Sequence, residues 1–230
     1  MSIRLYHASV EALRDAGRFA RLLETVPPER REKVAAFRVE TARRLSLGAG
    51  LLLNRALEDA GLPAAEIAVT EYGKPWFPAL PDFHFSLSHS GERVLCAVSA
   101  LPVGCDIERA ARDNAAIARR FFHPKERDWL FSLPEEEQAA AFFRIWTGKE
   151  SFIKAIGLGL SQPLDSFAVI PGEPVALLQT VDPRPWRIRS FREGDYFAAL
   201  CALENVEDAV IIPVNFEETA RPMSAGRAFY

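Results

Sequence analysis

The sequence predicts an α+β fold, built as an intramolecular pseudo-dimer of two similar halves, each a long helix packed on a small antiparallel sheet. Three observations predict it: two long helical patterns, several short strands joined by tight turns, and the same order of elements in both parts of the chain. We expect the halves to span residues 1–103 and 104–230, with the active site in the cleft between them.

The first half shows one long amphipathic helix among shorter elements. Leucines and alanines recur at helical spacing over 40–60, and Gly61 ends that pattern. Alternating residues and turn-forming glycines predict the strands around it. The predicted elements are a strand at 3–9, a helix at 11–24, a basic-rich helix start at 29–33, the helix at 40–60, and strands at 67–70, 83–88 and 94–99.

The second half repeats this order of elements. Its predicted elements are a helix at 138–156, a strand at 166–170, and a hairpin with strands at 186–191 and 196–203. Equivalent positions in the two halves lie roughly 100 residues apart, which is typical of a duplicated unit. The matching pairs are Gly61 with Gly159, Ile67 with Phe167, and Gly91 with Gly194.

Composition places the chain among ordinary globular proteins. It has 230 residues, of which 49% are hydrophobic and 26% charged, and its net charge of -3 argues against a nucleic-acid binder. Its three cysteines are odd in number and form no CxxC pair, which argues against a disulfide framework and a thiolate metal site. The sequence has neither a signal peptide nor a bilayer-length apolar run, so we expect a cytoplasmic protein without membrane contact.

A polar row runs along the helix predicted at 138–156. Trp146, Glu150 and Lys154 are four residues apart, so they share one helix face, while apolar residues occupy the others. Such a row can face a cleft between two packed bodies. The alternative is an ordinary Glu–Lys pair on a solvated face.

Two acids separated by one residue follow the first half. In an extended strand, Asp106 and Glu108 point to the same side, whereas Cys105 and Ile107 point to the other. Two carboxylates on one side repel each other. The pair is therefore either an exposed strand face in water or a site for a hard cation such as Mg²⁺, with Glu150 available as a third ligand.

A third motif combines small hydroxyl residues, a histidine and a glycine. Ser88 and His89 lie in the segment FSLSHSG at 85–91, where donors and backbone amides could hold a phosphate. The alternative is a hairpin turn with a surface histidine. Neither a Gly-x-Ser-x-Gly elbow, nor a P-loop, nor a GxGxxG turn is present.

Four motifs stand out along the chain: GKP at 73–75, FSLSHSG at 85–91, GCDIE at 104–108 and WTGKESFIKAIGLGL at 146–160. Together they resemble the 4′-phosphopantetheinyl transferases of the surfactin-synthetase-activating type. The resemblance implies an intramolecular pseudo-dimer of two α+β halves. It also implies Mg²⁺-dependent transfer of the phosphopantetheine arm of coenzyme A to a serine of an acyl or peptidyl carrier protein, with release of adenosine 3′,5′-bisphosphate.

The resemblance implies a role for each residue of the acidic cluster. Asp106, Glu108 and Glu150 would hold Mg²⁺ against the coenzyme A pyrophosphate, and Glu150 would also be the general base for the carrier serine. Lys154 would contact the pyrophosphate and support the leaving group. Lys149 would assist electrostatically.

The resemblance also implies a set of coenzyme A contacts. Ser88 and His89 would bind phosphate, Lys74 would lie near the adenine end, and Arg30 with Lys33 would hold the 3′-phosphate.

The chain departs from the family at one nucleotide-contacting threonine. Leu45 stands at that position, so either Ser46 or the pair Arg43 and Arg44 would have to supply the contact.

The segment 118–124 combines aromatic and basic residues, which suits docking of an acidic carrier. The alternative is that Phe121 and Phe122 are core residues and the arginines are solvated.

Two functions of other classes remain open. One is a non-catalytic module that binds coenzyme A or a carrier, and the other is a Mg²⁺-dependent phosphohydrolase. The residues Glu150 and Lys154 beside the acidic pair favour the transferase, because binding alone requires no base next to a metal. We expect a monomer, since the two fused halves supply their own interface. The tail at 217–230 shows little pattern.

Overall fold

Groups of helices and groups of short strands follow one another along the chain in the computed structural model, which describes residues 2–110 and 114–218. The helices are α1 (Ala16–Leu23), α2 (Pro28–Ala36), α3 (Glu40–Asp59), α4 (Ala115–Phe121), α5 (Pro124–Ser132) and α6 (Glu135–Ile156). The strands are β1 (Arg4–Ser9), β2 (Ala68–Val69), β3 (Pro75–Trp76), β4 (His84–Ser90), β5 (Arg93–Ser99), β6 (Val103–Arg109), β7 (Ala168–Ile170), β8 (Ala176–Leu178), β9 (Arg187–Glu193), β10 (Tyr196–Ala202) and β11 (Val210–Pro213).

The strands form two main sheets and two short ribbons. The first sheet has the order β11-β1-β5-β4 and the second has the order β6-β10-β9, while β2 pairs with β3 and β7 with β8. Every pairing is antiparallel except that of β1 with β11, which is parallel. The predicted α+β class with small antiparallel sheets is therefore confirmed.

Each long helix covers one sheet, and the two sheets meet each other. Leucines of α3 pack on β4 and β5 in one core cluster, and Phe152 and Ile153 of α6 pack on β9 and β10 in another. A third cluster joins the sheets, with Leu5 and Leu95 from the first and Ile107 from the second. The layers therefore run helix, sheet, sheet, helix.

The end of the described chain returns to the first sheet. Strand β11 pairs with β1, and Val214 and Phe216 are buried in the cluster beneath α3. Residues 210–216, which the expected boundary assigns to the second half, therefore pack with the first sheet. Apolar residues there complete a sheet that begins near the other end of the sequence. Of the tail at 217–230, residues 219–230 lie outside the described ranges.

The helices differ from the sequence expectation in three places. The helix expected at 11–24 is divided at Asp15, whose carboxylate accepts a hydrogen bond from the backbone N–H of Arg18 and so starts α1 there. Helix α6 begins at Glu135 rather than Gln138 because Pro134 precedes an acidic first turn. Helices α4 and α5 were not predicted. No helix in the described ranges is long and apolar enough to cross a membrane.

Helix α6 approaches the backbone of strand β6 very closely at Gly104. A Cβ atom built on Gly104 would lie 2.0 Å from the backbone oxygen of Ser151 and 2.4 Å from the backbone nitrogen of Ala155. Both neighbours are backbone atoms of α6, so no side-chain rotation could relieve the clash. Glycine at this position therefore sets how closely α6 approaches β6.

We expect Gly104→Ala to destabilise the protein by about 3 kcal/mol or more, because the added methyl must push α6 away from β6. Urea unfolding followed by circular dichroism measures this difference. Gly17→Ala is the matched control, since a Cβ there meets no atom closer than 3.5 Å and alanine favours the helix. Equal stability of the two variants would contradict the close helix–strand contact.

Candidate active site

One cavity of about 800 Å³ collects most of the residues singled out in the sequence. It opens between α2, α3, β4, β6 and α6, at the junction of the two sheets. The predicted site residues that line it are Arg30, Lys33, Ser88, His89, Asp106, Glu108, Glu150 and Lys154. Trp146 also lines it, so the polar row on α6 faces a cleft rather than open solvent.

The most buried charge in the cavity is the carboxylate of Asp106, which is 3% exposed. Its Oδ1 accepts a hydrogen bond from Ser88 Oγ at 2.7 Å and an ion-paired hydrogen bond from Lys154 Nζ at 2.6 Å. Its Oδ2 is buried and has no hydrogen-bond partner. The alternative of an acidic pair on a water-exposed strand face is therefore excluded for Asp106.

The environment of this pocket disfavours the ionised forms of the neighbouring carboxylates. Burial raises the pKa of Glu150, and the negative charges of Asp106 and Glu108 raise it further, against the opposing effect of Lys154. Burial also raises the pKa of Glu108, and Asp106 adds to that rise. For Lys154, burial alone would lower the pKa, but the surrounding anions outweigh it, so the net pKa is raised and the ammonium stays protonated.

The donor set fits a hard divalent cation. Carboxylate oxygens are the ligands that Mg²⁺ prefers, and Asp106 Oδ2 is a buried anionic oxygen that lacks a partner. A cation would also relieve the mutual repulsion that raises the pKa of Glu108 and Glu150. Within the described ranges, no group of three or more acidic, histidine or cysteine side chains is already gathered as a finished metal site.

Basic residues of α2 also line the cavity. Arg30 crosses the face of α3 at Gly50, where a Cβ atom would come within 2.9 Å of Arg30 Cγ. Lys33 lies one turn further along α2 and is exposed. Desolvation lowers the pKa of His89, and the nearby charges of Lys154 and Lys33 lower it further, so its imidazole is neutral at pH 7. These basic residues are suited to binding an anionic group.

Lys74 is a predicted site residue whose side chain does not line the cavity. Its ammonium donates hydrogen bonds to the backbone oxygen of Ala155 at 2.8 Å and that of Val103 at 3.3 Å. Burial lowers the pKa of Lys74 to about 8. The ammonium thus joins β6 to the last turn of α6, while Gly73 and Pro75 on either side line the cavity.

Comparison with known proteins relates the chain to one enzyme superfamily. Residues 102–201 match the model of the 4′-phosphopantetheinyl transferase superfamily. A 4′-phosphopantetheinyl transferase from Bacillus subtilis is 39% identical over 206 residues, which cover 87% of this chain and 92% of that protein. The chain belongs to this superfamily. The transferase Sfp of Bacillus subtilis strain 168 is 37% identical over 86% of this chain and 91% of its own length.

Another member of the superfamily, the transferase gsp of Aneurinibacillus migulanus, is 43% identical over 143 residues, or 60% of each chain. Among solved structures, holo-[acyl-carrier-protein] synthase of Thermotoga maritima covers 44% of this chain and 61% of its own, with 18% identity and a TM-score of 0.39. That structural likeness is too low to carry a conclusion.

The residues considered as substitutes for a contact at Leu45 lie in different environments. Leu45 packs in the core, whereas Ser46 lines the cavity and its Oγ is buried without a hydrogen-bond partner. Arg44 pairs with Glu92, and Arg43 lies over the ring of Phe19. Of the substitutes considered, Ser46 is thus the residue that the fold brings to the cavity.

Lys149 does not face the cavity, so the expectation that it assists there is wrong. Its ammonium is fully buried and lies 2.7 Å from Glu126 Oε1, and it donates further hydrogen bonds to the carbonyls of Leu164 and Phe167. Lys149 is adjacent to Glu150 in sequence, but successive helix positions point about 100° apart. The pair instead holds α5 against α6.

The aromatic segment after β6 has a divided environment. Phe122 is 1% exposed and stacks on Phe142, whereas Phe121 is 41% exposed beside the exposed Arg120. The expected core position is therefore confirmed for Phe122 and wrong for Phe121, and docking of a carrier on this segment stays a prediction.

The sequence analysis did not predict the role of two serines of β4. Ser86 and Ser90 lie on the same side of β4 as Ser88 and bond across to β6. The sequence feature that could have indicated these contacts is the alternation of serines in FSLSHS, because it places three hydroxyls on one face of the strand.

We expect Lys149→Met to cost about 3–5 kcal/mol of stability, because it leaves Glu126 buried without its cation. The double variant Glu126→Gln/Lys149→Met should recover much of this loss, since glutamine keeps an acceptor for the N–H of Val169. Urea denaturation of the two variants tests this. A Lys149→Met protein of normal stability would contradict the structural assignment of the pair.

Proposed function

We propose that this protein transfers the 4′-phosphopantetheine group of coenzyme A to a serine of an apo acyl or peptidyl carrier protein and releases adenosine 3′,5′-bisphosphate. One observation carries the proposal: a single cavity is lined by three carboxylates and Lys154 and also by Arg30 and Lys33. A pyrophosphate linked to a second phosphate matches this combination of acidic metal ligands and separate basic residues. The names of the curated relatives support the same reaction.

We propose that Asp106, Glu108 and Glu150 hold Mg²⁺. When bound, the ion neutralises the pyrophosphate and stabilises charge on the oxygen that leaves. The unpartnered Oδ2 of Asp106 and the raised pKa of both glutamates support this assignment.

Glu150 acts as the general base. It removes the proton of the carrier serine as the serine oxygen bonds to the pantetheine-side phosphorus, and the bond from that phosphorus to the bridging oxygen breaks. The electron pair leaves on the adenosine 3′,5′-bisphosphate. Burial and the neighbouring carboxylates raise the pKa of Glu150, so it holds a proton more strongly than an ordinary glutamate does.

Lys154 supports the leaving group as a fixed positive charge. The anions around it raise its pKa, so it remains an ammonium while negative charge builds on the leaving nucleotide. It reaches the cavity from the turn of α6 that follows Glu150, so base and cation act from one helix.

The remaining coenzyme A contacts extend along the cavity. Arg30 and Lys33 bind the 3′-phosphate, and Ser88 and His89 bind phosphate near the acidic end. Lys74 belongs to the adenine end, which is supported by its position between two cavity-lining residues. These roles follow the family resemblance and the charge distribution.

The two α+β units form a pseudo-dimer within one monomeric chain, with halves at 1–103 and 104–230 apart from the returning strand β11. The helix-on-sheet arrangement of α3 and α6 supports this duplication. The apolar cluster between the two sheets supports a monomer, because the chain covers that interface with its own residues.

The test is transfer itself. Purified protein is incubated with Mg²⁺, coenzyme A and a panel of apo carrier proteins, and each carrier is followed by intact-mass spectrometry. We expect a gain of one phosphopantetheine on a carrier, and loss of that gain when a chelator is added. Binding of coenzyme A in calorimetry without transfer to any carrier would favour the non-catalytic binding module, and release of phosphate without a carrier would favour the phosphohydrolase.

Glu150→Gln is expected to lower the transfer rate by about 10²–10⁴-fold, because the amide cannot accept the serine proton. Binding of coenzyme A should remain measurable by calorimetry. Glu136→Gln, an exposed change on the first turn of α6, is the matched control and should transfer normally. A Glu150→Gln protein with unchanged rate would remove this residue from the mechanism.

A further inference from the structure

The two sheets are joined along one edge by serine side chains. Strand β4 is the last strand of the first sheet and β6 the last of the second, so each has a side without a neighbouring strand in its own sheet. The hydroxyls of three β4 serines bridge this gap. Ser86 accepts from the N–H of Cys105 at 3.1 Å, Ser88 from that of Ile107 at 3.3 Å, and Ser90 from that of Arg109 at 3.1 Å.

Two of these serines also reach the carboxylates that alternate along β6. Ser88 Oγ donates to Asp106 Oδ1 at 2.7 Å, and Ser90 Oγ donates to Glu108 Oε2 at 2.8 Å. A hydroxyl has one proton, so accepting from the backbone of β6 leaves that proton for the carboxylate. Ser86 donates to no carboxylate. The residue before its partner Cys105 is Gly104, whereas the residues before the partners of Ser88 and Ser90 are the two acids.

We propose that Ser90 is a positioning residue that fixes the orientation of Glu108 for the metal. The inference rests on the proposed function, since it concerns the same metal. Ser90 Oγ accepts a hydrogen bond from the backbone N–H of Arg109, on the strand that carries Glu108. The same hydroxyl therefore contacts both the strand and the Glu108 side chain.

A hydrogen bond of this kind sets the metal affinity by limiting where the ligand oxygens point. A glutamate has several rotatable bonds, and holding it in one conformation before the ion arrives removes an entropic cost from binding. Partners that orient metal ligands commonly contribute about 10–100-fold in metal affinity or activity. Ser90 makes this contact without lining the cavity, which separates positioning from ligand contact.

The experiment compares three variants with the unaltered protein. Mn²⁺ binding in the presence of coenzyme A is measured by electron paramagnetic resonance, without carrier, and the Mg²⁺ dependence of transfer is measured separately. Ser90→Ala removes the bond to Glu108. Ser90→Thr keeps the hydroxyl. Ser86→Ala is the matched control, since it removes an equally short bridge to β6 but no carboxylate contact.

We expect Ser90→Ala to weaken Mn²⁺ binding about tenfold and to raise the Mg²⁺ concentration for half-maximal rate by a similar factor. The rate at saturating Mg²⁺ should change little. Ser90→Thr should bind Mn²⁺ like the unaltered protein, and Ser86→Ala should do so even where its stability is lower.

Unchanged Mn²⁺ binding in Ser90→Ala would overturn the inference while leaving the proposed function intact. Equal weakening in Ser86→Ala and Ser90→Ala would also overturn it, because the effect would then come from the joined strands and not from Glu108. Absence of Mn²⁺ binding by the unaltered protein with coenzyme A would overturn the proposed metal site and this inference together.

Discussion

The close packing of α6 on β6 is the constraint on which the rest of the site depends. Gly104 lets the two backbones approach within a distance that any side chain would prevent. Because α6 carries Glu150 and Lys154 and β6 carries Asp106 and Glu108, this contact brings all four charges into one cavity. The buried ammonium of Lys149, paired with Glu126, fastens the opposite face of the same helix. The site is therefore assembled by helix placement rather than by a loop.

The assembled site carries an electrostatic cost in the absence of a cation. Burial raises the pKa of Glu108 and Glu150 above the ordinary value of 4.5. A carboxyl with a raised pKa binds its proton more strongly in the folded protein than in the unfolded chain. Its contribution to stability therefore falls as pH rises from 4.5 through the raised value. A ligand that adds positive charge to the folded state offsets this cost, so binding and stability are coupled.

Local patterns in the sequence predict the parts of the fold that depend on near neighbours. The period of leucines and the stop at Gly61 predict α3 to within one residue of its end, and the period of two predicts that Asp106 and Glu108 share a face. The return of β11 to β1 was missed, because pairing between distant segments leaves little trace in a four-residue strand.

The directions of charged side chains are even harder to predict from local sequence patterns. Sequence identifies Lys74 and Lys149 as cations near the motif residues, but their directions depend on tertiary partners, which are the carbonyl of Ala155 and the carboxylate of Glu126. When β4 is considered alone, its serines suggest a phosphate-binding segment. Their link to β6 becomes visible only when the edges of the two sheets are brought together.

The central claim is that carboxylates on β6 and α6 hold one metal ion beside coenzyme A. A crystal structure with coenzyme A and Mn²⁺, located by anomalous scattering, tests this most directly. The account predicts one Mn²⁺ bound by carboxylate oxygens of Asp106, Glu108 and Glu150. An ion held elsewhere in the cavity, with these three side chains uninvolved, would contradict it.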